Sequence, residues 1–178
     1  MAVLTLAAAK AHLNITVSTH DDEIQGMIDS AVAAIAERVG PIEAVAKTVR
    51  VTPLARHLRV PGPAISLTSI TDADGVAETL GDLYLEQGPG LISFNDGRSF
   101  ASRYYTVVYS AGRATIPKDL VLAVAELVRH FWATQRGPTQ RPGAKGSETM
   151  ANSVPGAAYL LPFRVSELIK PHMPILVG

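Results

Sequence analysis

The chain has 178 residues, long enough for one domain with a real core, and its 47% apolar and 18% charged content is that of a globular protein rather than a disordered one. It carries no cysteine, which excludes disulfides, thiolate metal sites, iron–sulfur clusters and cysteine nucleophiles. Net charge is zero but segregated, with six acids against two bases in residues 1–46, seven bases against six acids in 47–116, and seven bases against four acids in 117–178.

An acidic start and a basic end suit head-to-tail contact between identical copies. The plainer reading is a solvated surface with chance segregation. No apolar run approaches the roughly 18 residues of a membrane span. The opening Met1-Ala-Val-Leu-Thr-Leu lacks a basic leader and Lys10 interrupts its apolar stretch, which argues against a signal peptide. Asn14-Ile15-Thr16 matches a glycosylation acceptor, a match that has meaning only in a secreted chain.

Residues Thr5 to Leu13 are rich in alanine and leucine and read as a short helix, ended by Asn14 and the β-branched Ile15, Thr16 and Val17. Thr19 can cap a second helix. Asp21, Asp22 and Glu23 fill its first turn, where carboxylates meet the positive end of the dipole. Ile24, Met27, Ile28, Ala31, Ile35 and Val39 share one face of it, and Gly40-Pro41 stops it.

From Lys47 the apolar period changes from 3.6 to 2. The spacing predicts strands at Thr48–Val51, His57–Val60, Ile65–Ile70, Leu83–Leu85, Leu91–Phe94 and Arg103–Tyr109. Gly88-Pro89-Gly90 between two of these is a hairpin signal. Helix is expected again from Pro117 to about Gln135, roughly 28 Å long. Leu120, Val121, Val124, Leu127, Val128 and Phe131 line one face, with Trp132 beside them. Residues 136–156 are dense in glycine and proline and read as a long loop. Tyr159–Phe163 is read as extended, and Arg164–Lys170 as a two-turn helix stopped by Pro171.

Strands grouped between helices, rather than alternating with them, argue against a βαβ nucleotide fold. The expectation is a mainly α protein: a small helical bundle with long central helices and an antiparallel β insertion. Its parts are a helical core of 1–46 and 113–135, a β insertion of 47–112, and a loop with a C-terminal docking arm at 136–178.

The sequence offers little to catalysis. His12, His20, His57, His130 and His172 form no HExxH pair or other ligand spacing and read as surface or boundary residues, so no metal is expected. GxSxG, P-loop and GxGxxG motifs are absent, and Pro89 removes an amide that a phosphate cradle would need. Asp72-Ala-Asp74-Gly75 resembles a calcium loop only in passing. Aligning Gly75 with that loop's invariant glycine puts Ile70 at the first ligand and Gly81 where a bidentate Glu is required. An Asp-Gly turn accounts for it better, and no cofactor is expected.

Two features stand out against this background. The stretch between Glu126 and Glu148 has no acid but holds Arg129, Arg136, Arg141 and Lys145, the last three on or beside the glycine–proline loop, where they could approach phosphates. No aromatic residues interleave with them, so base stacking is not indicated. After that loop comes an apolar tail that includes Tyr159, Leu160, Leu161, Phe163, Leu168 and Ile169. It must fold back on its own core or dock on a partner.

The order of parts resembles a known family. Leu4-Thr-Leu-Ala-Ala-Ala-Lys-Ala-His-Leu13 followed by the acidic helix start Asp21 to Ala31 is similar to the opening of head–tail connector (adaptor) proteins of tailed bacteriophages. Tyr105-Thr-Val-Val-Tyr-Ser-Ala-Gly112, then Ile116-Pro-Lys-Asp-Leu120 and a helix ending His130-Phe-Trp132, resembles that family's second signature. Leu161-Pro-Phe-Arg-Val165 resembles its close. The departure is the size of the β insertion, 47–112, which a minimal adaptor lacks and longer members of the family have.

The resemblance implies a structural neck protein of the virion, assembled in the host cytoplasm. Copies would form a ring, usually a dodecamer, beneath the portal, extend the channel for genomic DNA, and seat the next neck or tail protein. It implies no enzyme activity, no membrane, and contact with DNA only in passing. Arg136, Arg141 and Lys145 would face the channel or the portal. Tyr159, Leu160, Leu161, Phe163, Leu168 and Ile169 would dock on the portal or a neighbour, and Asp21, Asp22 and Glu23 would meet the basic end of an adjacent copy. The alternatives are a nucleic-acid-associated accessory module using the basic loop, and a neck stopper or tail-end protein.

Overall fold

The structure is a computed structural model in which residues 2–136 and 161–173 are described. They divide into two compact units, one of residues 36–116 with Met173 and one of residues 2–35 and 117–172.

The second of these is helical. Its first helix, α1 (Leu6–Leu13), is opened by Thr5, whose hydroxyl accepts from the Ala8 amide at 3.2 Å. It is closed by Asn14 in the left-handed conformation (φ 57°), a residue type that tolerates this region. The next helix, α2 (Asp21–Val39), begins with the three acids in its first turn and buries every apolar position of the anticipated face, from Ile24 to Val39. The division between the units falls within it, at Ile35 and Ala36.

Helix α3 (Lys118–Arg136) starts one residue later than anticipated. Pro117 precedes it and offers its carbonyl to the amides of Leu120 and Val121. Leu120, Val124, Leu127 and Val128 are fully buried, with Ala123 and Ala125 beside them. A short helix, α4 (Phe163–Ile169), continues into a 3₁₀ turn at Lys170–His172, and it packs against α3 through the buried Val165 and Ile169.

The other unit holds six strands: β1 (Val45–Val51), β2 (Leu58–Arg59), β3 (Ala64–Thr71), β4 (Leu83–Glu86), β5 (Leu91–Phe94) and β6 (Tyr105–Ala111). They form two antiparallel three-stranded sheets with strand orders β1-β6-β3 and β2-β5-β4. Gly88–Gly90 makes the anticipated turn between β4 and β5, with Gly90 at φ 70°. One core joins the sheets: Leu58, Val60, Ile70, Ile92, Val107 and Tyr109 are fully buried in it. Phe94, Phe100 and Tyr105 stack there, with ring centroids 4.4 and 5.1 Å apart in succession. The Tyr109 hydroxyl donates to the Pro61 carbonyl at 2.9 Å, and burial raises its pKa.

This architecture corrects the mainly α expectation. The fold is mixed α/β, because the strand region is a unit with its own two sheets and core rather than an appendage of a helical bundle. The period-2 pattern placed the strands well but could not show that β6 pairs with both β1 and β3. That non-local pairing turns short strands into an independent core.

Two contacts fix where β6 ends. Arg113 donates from Nη2 to the Val39 carbonyl and from Nη1 to the Pro41 carbonyl, each at 3.1 Å, so it satisfies the exposed end of α2. Gly112 has φ 115°, and a Cβ there would collide with the Glu43 carbonyl oxygen.

Candidate functional site

The candidate site is a set of surfaces, beginning at the junction of α1 and α2. Lys10 Nζ lies 2.6 Å from Asp21 Oδ1, which ties the two helices together. His20 Nδ1 lies 3.3 Å from Glu23 Oε2, and the His20 ring meets the Trp132 ring edge-on at 5.4 Å. Asp21 and Glu23 therefore have partners inside the subunit. Asp22 is the exposed member of the acidic trio.

A carboxylate of this unit with several partners is one that sequence reading did not single out. Glu126 of α3 is 11% exposed at its side chain. Its Oε1 lies 3.2 Å from Arg164 Nη1 of α4 and 4.0 Å from His12 Nε2 of α1, while Oε2 lies 3.9 Å from Arg129. About two turns toward the start of α3, Asp119 Oδ2 lies 2.7 Å from His172 Nε2. That hydrogen bond holds the Asp119 carboxyl below its ordinary pKa, helped by the Leu120 amide and opposed by partial burial.

Asp119 precedes Glu126 in α3, whereas their partners run in the reverse order, His172 after Arg164, so α4 lies antiparallel on α3. Each end of the α4 segment is held by a carboxylate of α3, Glu126 at one end and Asp119 at the other, and Val165 and Ile169 are buried between them. No periodicity signals such pairs. Only the presence of opposite charges two turns apart on both helices hints at them.

The anticipated docking residues are split by this arrangement. Ile169 is fully buried within the subunit, and Leu161 and Leu168 are half-buried. Phe163 is 81% exposed at the start of α4. Tyr159 and Leu160 lie outside the described residues, as do Arg141 and Lys145. Arg136 ends α3.

An open furrow runs between α2 and α3, lined by Gly26, Met27, Ser30, Phe131 and Thr134, with no convergence of titratable groups beyond Glu23 at its margin. Among the described residues no group of three His, Asp or Glu side chains could hold a metal ion, and no helix is long and apolar enough to cross a membrane.

What the described residues present is an open furrow, a helix held by Asp119 and Glu126, and an exposed Phe163, with no cluster of catalytic groups among them. The family model of head completion proteins (HCP) matches residues 2–172, and the chain belongs to that family. A search of curated proteins finds no match. Among solved structures, a chain described as "Neck of empty GTA particle computed with C6 symmetry" has a TM-score of 0.67 and 18% identity, over 99% of this chain and 92% of that one. At that identity the likeness is one of fold. The head–tail adaptor resemblance drawn from the sequence motifs is supported by the family match, and the fold is the one found in that neck chain.

Proposed function

We propose that the chain is a head–tail adaptor whose copies close into a dodecameric ring under the portal, lengthen the DNA channel and seat the next neck or tail protein. The observation that carries this reading is the family match over residues 2–172, nearly the whole chain. The similar neck chain comes from a particle treated with C6 symmetry, and a twelve-membered ring contains a six-fold axis. Passing DNA is met through phosphates alone, without sequence reading.

Within the ring, α4 is a rigid platform rather than a loose arm, and Phe163 is the anchor it offers to the portal. Anchors of this kind are large, flat and exposed before binding. Leu161 and Leu168 flank it, with Tyr159 and Leu160 continuing the contact, while Ile169 holds the platform to α3. Arg136, Arg141 and Lys145 face the channel or the portal, and Asp22 is the acid of the α2 start that meets a neighbouring copy.

The test is to produce particles without this chain. Full heads that neither join tails nor retain DNA support the adaptor reading. Tailed, DNA-filled particles lacking the chain refute it.

A further inference from the structure

Each of the two sheets of the β unit has a basic edge strand on one side and acidic residues on the other, and the acid-bearing sides meet where β3 contacts β4. Residues 45–60 hold Lys47, Arg50, Arg56 and Arg59 and no acid. From Arg59 to Arg98 there is no base and there are six acids, among them Asp74, Glu78, Asp82 and Glu86. In the strand order β1-β6-β3 the basic strand β1 is one edge, the uncharged β6 is central, and β3 runs into the Asp72–Asp74 turn. In the order β2-β5-β4 the basic β2 is one edge, the uncharged β5 is central, and the acidic β4 is the other. Arg98 offsets the acidic flank only in part, since Glu78, Asp82 and Asp96 all lie within 3.9 Å of it.

Exposed apolar side chains follow the same division. Between residues 36 and 116 the large exposed ones are Val45 and Leu54 (68%) on the basic flank, and Val76, Leu80 and Tyr84 (59%) on the acidic flank. The backbone of β1 has one bonded neighbour, β6, and among the described residues no other main-chain group pairs with it. An open strand edge carrying lysine and arginine resists indiscriminate pairing and admits an acidic partner.

We infer that the basic β1–β2 flank of one copy seats against the acidic β3–β4 flank of the next, as a head-to-tail contact of the ring. This rests on the ring reading and names the surface that closes it. Two different patches that complement each other on one molecule generate a ring or a filament, whereas a self-complementary patch gives a dimer. The presence of both signs on one unit, each with its own exposed apolar residues, favours a second copy as occupant over nucleic acid, which would need the basic flank alone.

Charge reversal with exchange tests it on particles made with the full chain. Arg56→Glu with Arg59→Glu reverses the basic flank, and Asp74→Lys with Glu86→Lys reverses the acidic one. These four are exposed and lie outside the Arg98 cluster and the Arg50–Tyr104 stack. Each variant alone should cut the copies per particle by at least about tenfold, since like charges placed together cost several kcal/mol and ~1.4 kcal/mol is tenfold. Co-producing the two variants should restore the copy number, because the doubly acidic copy complements the doubly basic one, and the rescue shows that both fold. A single variant that enters particles like the unaltered chain, a pair that fails to rescue, or a basic-flank variant that keeps its copy number but loses DNA would each overturn the contact. An unaltered chain present once per particle would instead overturn the ring itself.

Discussion

Asp119 at the start of α3 and His172 beyond the end of α4 meet at 2.7 Å, although 53 residues separate them in sequence. With the Glu126–Arg164 pair at 3.2 Å, this bond holds the C-terminal segment on the helical unit. Residues 163–172 are thereby held on α3, with Phe163 exposed at their start.

The Asp119 bond sets a pH dependence. Its carboxyl pKa is lowered in the folded state, so the stabilisation is fully present above the unfolded value and is lost as pH falls through the folded one. Amide exchange in α4 should quicken as pH is lowered below about 4, after correction for intrinsic rates. Asp119→Asn should quicken it at pH 7 and flatten that acid dependence. An unchanged acid dependence in Asp119→Asn would place the effect elsewhere.

Packing and display separate on the two faces of α4. Ile169→Ala removes a fully buried side chain and should destabilise the helical unit by ~2–4 kcal/mol in denaturant unfolding. Phe163→Ala should change stability by less than about 0.5 kcal/mol yet sharply reduce attachment to portals in a pull-down. Equal attachment of Phe163→Ala and the unaltered chain would remove Phe163 as the anchor.

Gly112 and Arg113 set the end of β6. Gly112→Ala would place a Cβ against the Glu43 carbonyl at a positive φ and should cost ~1–3 kcal/mol or more. Arg113→Ala leaves two carbonyls at the end of α2 without their donor and should cost ~1–3 kcal/mol. Unfolding midpoints in urea read both.

If the loop charges meet the portal or the DNA channel, Arg141→Glu with Lys145→Glu should lower DNA retention in finished particles while leaving the unfolding midpoint of the free chain unchanged. Normal retention would remove both residues from the channel.

Local patterns were readable in the sequence. The face from Ile24 to Val39, the Asn14 stop, the Gly88–Gly90 turn and the six strands all follow from periodicity and from glycine and proline chemistry. The ties between distant residues were not. Arg113 caps a helix 74 residues earlier, His172 reaches Asp119, and β6 enters two pairings at once. Such contacts leave no local period, which is why the chain read as mainly α although its strands form two sheets with a core of their own. Asp21 and Glu23 illustrate the same limit at the surface. Their charge was visible, but not the nearby Lys10 and His20 that engage it.

The most direct test is a cryo-microscopy reconstruction of the neck of a finished particle, refined without imposed symmetry. The adaptor account predicts a closed ring of this chain between portal and tail, with Phe163 against the portal and the basic flank of each β unit against the acidic flank of the next. A neck whose portal joins the tail directly, with this chain absent or present as an isolated copy, would contradict it.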